Sequence, residues 1–200
     1  MELRIEQLNF EYASHPLFRE FNLTLTPGIT WLRGENGAGK TTLLKLAGGA
    51  LTPHAGAIWL ADIEIHAQPL VYRRHCYYCG GDTPQLPWLT VREVLDMHVA
   101  LYSADAEHLN TELAAFHLLP TLDQPVTTLS LGQHKKMQLA LALSLPVRLL
   151  LIDEPFNGLD ADAMAYLRQQ LSTPERLARQ VILLTSHLEP ILPLVGTLQL

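Results

Sequence analysis

The stretch Gly34-Glu35-Asn36-Gly37-Ala38-Gly39-Lys40-Thr41-Thr42, here called the phosphate loop, fits the pattern G-x-x-x-x-G-K-[ST]. Its glycines let the backbone curl until consecutive N–H groups face inward, and such a concavity suits a phosphate. Residues 29–33 predict a buried strand before the loop, and residues 41–47 predict a helix that ends at Gly48-Gly49. The N-terminus of that helix adds partial positive charge. This context favours a nucleotide site over a plain glycine-rich turn.

The remaining chain predicts an α/β fold around this loop. Residues 3–10, 18–25 and 57–60 have strand character and are joined by short turns, which indicates an N-terminal antiparallel β subdomain. Residues 149–152 form a continuous apolar run, as is typical of a central parallel strand. Residues 181–185 are interpreted as the last clear core strand. We therefore expect a parallel-sheet core of the P-loop type.

A helical insert interrupts this core. Residues 91–102 and 106–119 predict helices, prolines punctuate the segment, and no strand pattern intervenes. We expect the insert to cover about residues 83–130 and to belong to a single domain of residues 1–200, rather than to fold independently.

Polar residues stand where predicted core strands end. Asp153-Glu154 follow one strand and Ser186-His187 follow another, and the carboxyl ends of parallel strands share one edge of a sheet. Lys40 would reach the phosphates, and the Thr41 hydroxyl and Asp153 would hold Mg²⁺. Glu154 is placed to polarise an attacking water, and His187 to contact the γ-phosphate. The alternative for Asp153 and Glu154 is a solvated strand end without a function, and the alternative for His187 is a histidine of the core.

Composition excludes several classes of protein. The net charge of −6 and the lack of a Lys/Arg run argue against nucleic-acid binding. No signal-peptide pattern opens the chain, and its most apolar stretch, residues 137–152, is too interrupted to span a membrane. We expect a soluble, cytoplasmic protein. Cys76 and Cys79 are spaced C-x-x-C, but a second pair to complete a zinc site is missing. A short buried strand is the favoured interpretation.

Several motifs occur in the order found in one family. They are an aromatic at Tyr12, the phosphate loop, Leu129-Ser130-Leu131-Gly132-Gln133, Asp153-Glu154-Pro155, Asn157-Gly158-Leu159-Asp160 and His187. Over nearly its whole length the chain resembles the ATP-binding subunit of an ATP-binding cassette (ABC) transporter. Residues 129–133, here called the signature segment, are the most specific part of this resemblance.

The resemblance implies an ATPase with ATP and Mg²⁺ as ligands. It implies that Tyr12 stacks on adenine and that Asp160 belongs to the nucleotide-binding residues. It also implies a head-to-tail dimer with a second ABC ATPase domain, a second copy of this chain or a close paralogue. In that dimer Ser130, Gly132 and Gln133 of one subunit cap the γ-phosphate bound by the other.

The same resemblance implies a membrane partner. The helical insert would touch an integral membrane subunit, so that the protein lies peripherally on the inner face of the cell membrane. The short chain resembles the heme-exporter ATPase of cytochrome c maturation, which favours export. A soluble ABC-type ATPase that is not coupled to transport is the alternative, and a regulator that binds ATP without turnover is a third possibility. The intact Lys40, Asp153, Glu154 and His187 speak against the regulator.

One position departs from the family pattern. The family usually has a glutamine before the helix start that Leu89-Thr90-Val91-Arg92-Glu93 supplies here. Counting back from that start reaches Gly81 or Asp82, and Gln85 lies about three residues too late. We favour Asp82 for the role of that glutamine, with Gln85 and backbone contacts as the alternatives.

Overall fold

The computed structural model describes residues 1–13, 15–81 and 86–200, so Asp82 and Gln85 lie outside the described residues. The strands are β1 (Leu3–Tyr12), β2 (His15–Leu25), β3 (Gly28–Arg33), β4 (Ala55–Leu60), β5 (Ile63–Glu64), β6 (Cys76–Cys79), β7 (Leu149–Ile152), β8 (Val181–Thr185) and β9 (Leu194–Gln199). The helices are α1 (Lys40–Ala47), α2 (Pro69–Arg74), α3 (Val91–Tyr102), α4 (Ala106–Ala115), α5 (Leu131–Ser144), α6 (Ala161–Leu171) and α7 (Pro174–Arg179).

Two sheets form the frame, as the sequence predicts. Among the described residues, the parallel sheet has five strands in the order β6-β7-β8-β3-β9, and the antiparallel sheet has four in the order β2-β1-β4-β5. In the parallel sheet Leu151 of β7 lies beside Tyr78 of β6 and Leu183 of β8. This register brings the ends of β3, β7 and β8 to one edge of the sheet.

The apolar run of β7 fits between two layers because successive side chains of a strand point to opposite faces. Leu150 and Ile152 join the cluster formed with α3, α4 and α5, whereas Leu149 and Leu151 join the cluster formed with α1 and the antiparallel sheet. All four side chains are fully buried. Burying each contributes about 1.5–3 kcal/mol, which explains why the run has no polar face.

The structure corrects the prediction that residues 181–185 form the last core strand. β9 follows it and pairs in parallel with β3 at the sheet edge. Its residues alternate between half-buried and exposed, because an edge strand buries only one face. It also contains Gly196, which is uncommon in strands.

The helices of the segment 86–130 also differ from the prediction in one boundary. α4 ends at Ala115 rather than at residue 119, because His117 adopts a left-handed conformation (φ 58°) and Pro120 follows. Two 3₁₀ turns, Leu119–Thr121 and Val126–Thr128, complete the segment. The short helices α2 and α7, each with a proline at its start, were not expected from the sequence.

The buried-strand interpretation of the C-x-x-C segment is confirmed. Cys76 and Cys79 begin and end β6, and burial raises the pKa of both thiols to about 12. Cys76 joins the cluster on the α1 face of the sheet and Cys79 the cluster on the α5 face. The two thiols therefore point in opposite directions. Within the described parts of the chain, no helix is both long and apolar enough to cross a membrane.

Candidate nucleotide-binding site

The phosphate loop joins β3 to α1, as predicted, and two glycines give it its shape. Gly37 and Gly39 have backbone φ values of 85° and 99°, which residues with a side chain rarely adopt. A Cβ on Gly39 would also come within 3.0 Å of the Leu17 side chain. The loop therefore needs glycine at position 39 for both its conformation and its packing.

Lys40 lies across the phosphate loop. Its Nζ donates to the main-chain oxygens of Gly34 at 2.8 Å and Glu35 at 3.0 Å. Ala38 N closes the turn by donating to Glu35 O at 3.2 Å. The ammonium group is thus held at the loop, where a phosphate anion would attract it.

A chain of short hydrogen bonds joins the loop to the ends of β7 and β8. Thr41 Oγ1 donates to Asp153 Oδ2, and Thr185 Oγ1 donates to Asp153 Oδ1, both at 2.6 Å. Glu154 N in turn donates to Thr185 Oγ1 at 2.8 Å. The structure therefore brings Thr41 and Asp153 together as expected. Thr185 is a site residue that sequence reasoning missed, although its place at the end of β8 was a usable signal.

Glu154 faces His187 at the same edge. Glu154 Oε2 accepts from His187 N and from Asn157 Nδ2, both at 3.3 Å. Its other oxygen, Oε1, is 3.7 Å from His187 Nε2, and it is buried without a hydrogen-bond partner among the described residues. Such an atom can accept a proton from a water molecule that enters the site.

The site forms a pocket of about 450 Å³. Tyr12 borders one side of it, with 49% of the residue exposed, an edge-to-face contact to Phe10, and its hydroxyl 3.5 Å from Thr42 Oγ1. The residues that line the pocket are Tyr12, Leu17, Asn36, Gly37, Gly39, Lys40, Thr41, Thr42, Asp153, Glu154 and His187. A half-exposed aromatic ring above a phosphate-binding loop can stack on a base.

Seven of the predicted nucleotide-binding residues do not line this pocket. Gly34, Glu35 and Ala38 still belong to the phosphate loop, whereas Ser130, Gly132, Gln133 and Asp160 lie elsewhere. Ser130 and Gln133 form a capping box at the start of α5: Gln133 N donates to Ser130 Oγ at 3.2 Å, and Ser130 N donates to Gln133 Oε1 at 2.9 Å. Gly132 lies beside Gly158. Asp160 caps α6 and accepts from Lys136 Nζ at 2.5 Å, and this bond lowers the pKa of Asp160 to about 2.

The phosphate loop opens a helix and faces the hydrogen-bonded pair Asp153 and Thr185 at the ends of β7 and β8. This is the arrangement of P-loop nucleotide-binding proteins. Residues 18–157 match the family of ABC transporters. The chain belongs to this family: it is an ATP-binding subunit that hydrolyses ATP and powers a membrane transporter.

Relatives agree with this assignment. A protein of Legionella pneumophila named cytochrome c biogenesis ATP-binding export protein CcmA is 32% identical over 188 residues, which cover 92% of each chain. A protein of the same name from Methylococcus capsulatus is 35% identical over 175 residues, covering 86% of this chain and 84% of its own.

Solved structures agree as well. The ATP-binding subunit of an ABC transporter superposes with a TM-score of 0.84 at 29% identity, over 94% of this chain and 80% of its own. An ABC transporter ATP-binding protein from Pyrococcus furiosus superposes with a TM-score of 0.78 at 22% identity, covering 100% of this chain and 98% of its own, and supports the fold.

Proposed function

We propose that the pocket binds ATP together with Mg²⁺. The Thr41–Asp153–Thr185 hydrogen-bond chain carries this proposal, because it gathers hard oxygen donors, the kind Mg²⁺ prefers, next to Lys40. Thr41 and Asp153 would hold the ion, which neutralises charge on the β- and γ-phosphate oxygens when bound. The N–H groups of the phosphate loop and the Lys40 ammonium bind the phosphates, and the Tyr12 ring stacks on adenine.

Glu154 is the proposed general base of hydrolysis. Its Oε1, which accepts no hydrogen bond from a described residue, accepts the proton of the attacking water, and His187, whose Nε2 lies 3.7 Å from that oxygen, contacts the γ-phosphate.

The complete site needs a second subunit. Ser130, Gly132, Gln133 and Asp160 lie outside the pocket, so they serve nucleotide binding only if they meet a nucleotide held by another ATPase domain. Ser130 is exposed and starts α5, whose first-turn N–H groups attract an anion. A head-to-tail dimer presents this helix end to the partner's γ-phosphate.

The transporter it powers is, in our proposal, an exporter that serves cytochrome c biogenesis. The proposal is supported by relatives whose names state that role, one of which aligns over 92% of its length. The chain would act on the cytoplasmic side of the cell membrane, bound peripherally to an integral membrane subunit through its helical insert. The soluble ABC-type alternative gains no support from these relatives.

Deleting the gene in the organism that carries it tests this role. We expect loss of covalently assembled c-type cytochromes, measured by heme staining of gels. A plasmid copy of the wild-type chain should restore them, and a Lys40→Ala copy should not, because the variant lacks the ammonium that binds phosphate. Normal c-type cytochromes in the deletion strain would overturn the cytochrome c role while leaving the ATPase assignment intact.

A further inference from the structure

Lys135 reaches from α5 to the end of β7. Its Nζ donates to the main-chain oxygen of Asp153 at 3.4 Å and to the main-chain oxygen of Glu154. Burial lowers the pKa of Lys135, while Cys79, Asp153 and Glu154 oppose this effect. A partly buried ammonium group with two main-chain acceptors has a fixed position.

The next residue of α5, Lys136, is partly buried as well but has a different kind of partner. Lys136 Nζ pairs with the Asp160 carboxylate, which is exposed. Lys135 instead hydrogen-bonds main-chain oxygens at the point where the chain leaves β7. Its hydrogen bonds therefore act on the conformation of the backbone, in addition to the electrostatic attraction between its ammonium group and the Asp153 and Glu154 carboxylates.

The backbone of Glu154 needs such support. Glu154 has φ 51°, a left-handed conformation that is unfavourable for residues other than glycine. Two groups hold the residue from opposite sides: Thr185 Oγ1 accepts from its N–H at 2.8 Å, and Lys135 donates to its carbonyl oxygen. With both main-chain groups held, the direction of the Glu154 side chain is fixed as well.

We propose that Lys135 is a positioning residue for ATP hydrolysis, which holds the Glu154 backbone in its left-handed conformation and thereby aims the carboxylate into the pocket. The inference rests on the role of Glu154 as general base proposed above. It also ties the position of this carboxylate to α5, the helix that starts at the signature segment.

The test compares Lys135→Met, which keeps length and removes the donor, with Lys135→Arg, which keeps charge and donors. We expect Lys135→Met to lower kcat at least about tenfold, because small displacements of a reacting group cost that much, with ATP affinity changed less than about twofold. Lys135→Arg should restore most of the lost rate. Arg4→Met, which removes an exposed ion pair with Glu6 within β1, is the control and should leave kcat unchanged.

A double substitution separates positioning from a structural role. If Lys135 acts through the Glu154 carboxylate, adding Lys135→Met to Glu154→Gln should not lower the residual rate further. Lys135→Ala, which also removes the donor, replaces Lys135→Met throughout if that variant does not fold. An unchanged kcat, a matching loss of ATP affinity, or an additive loss in the double variant would overturn the inference. Full hydrolysis by Glu154→Gln alone would instead overturn the proposed role of Glu154.

Discussion

Glu154 combines an unfavourable backbone conformation with a carboxylate oxygen, Oε1, that accepts no hydrogen bond from the described residues. Left-handed φ in a residue other than glycine costs about 1–3 kcal/mol, and such residues persist only where the surroundings over-determine them. Here Thr185, Lys135 and Asn157 each contact a different group of Glu154. The strained backbone and this oxygen both fit the proposed catalytic role of Glu154.

Glu154→Gln should lower hydrolysis by roughly 10²–10⁴-fold, the range that loss of a general base gives, because the amide cannot accept the proton of water. ATP affinity should remain, since the phosphate loop is untouched, and ATP-bound dimers should accumulate. Steady-state hydrolysis, nucleotide titration and size analysis with ATP and Mg²⁺ measure these effects. A monomeric variant that hydrolyses at the wild-type rate would contradict the assignment.

At the scale of elements, a buried carboxylate joins α4 to α6. Glu112 of α4 is only 2% exposed, accepts from the Tyr166 hydroxyl at 3.1 Å, and lies 3.4 Å from His108 Nε2. Burial raises the pKa of Glu112, and the contacts to Tyr166 and His108 only partly offset this. Folding therefore disfavours the ionised carboxylate of Glu112 relative to its protonated form.

The pH dependence of stability follows from this sign. A raised folded-state pKa means that the contribution of Glu112 is most favourable below the ordinary glutamate pKa and is lost as pH rises through the folded value. Glu112→Gln does not titrate, so the stability difference between the variant and wild type should shift in favour of the variant as pH rises from 4 to 8. Urea unfolding at the two pH values measures it, with the exposed Glu107→Gln as matched control. A difference that does not change with pH would contradict this account.

At the scale of the whole molecule, the two halves of the proposed site lie on separate surfaces of one chain. The pocket contains the phosphate loop, Asp153 and Glu154, whereas the exposed Ser130 stands at the start of α5 outside it. Leu131 next to it is 89% exposed, which an interface would cover. If the proposed dimer forms, one subunit alone presents an incomplete site.

Mixing two inactive variants tests the dimer. Lys40→Ala lacks a working phosphate loop and Ser130→Arg lacks a working signature segment, so each heterodimer of the two regains one complete site. We expect about a quarter of the wild-type rate, because half of the dimers are heterodimers with one of two sites intact. The matched control mixes Ser130→Arg with Gly132→Arg, which leaves both sites damaged. Equal rates from the two mixtures, with heterodimers shown to form, would refute action in trans.

Much of the fold could be predicted from local patterns. Glycine spacing with Lys40 identified the phosphate loop, and the apolar run of residues 149–152 identified a parallel strand that ends at Asp153. β9 escaped prediction because an edge strand buries one face and carries a weak pattern. The roles of Ser130, Gly132, Gln133 and Asp160 stay predictions, as do those of Asp82 and Gln85.

The sequence alone determined the local motifs of this protein, because a phosphate loop, a helix cap and a strand end are each specified by neighbouring residues. Only the tertiary structure decided which distant groups meet. Thr185 and Lys135 belong to elements far apart in the chain, and they reach Asp153 and Glu154 only because β7 and β8 are adjacent and α5 packs on the same sheet. Such contacts depend on strand order and layer packing, and no run of neighbouring residues encodes either.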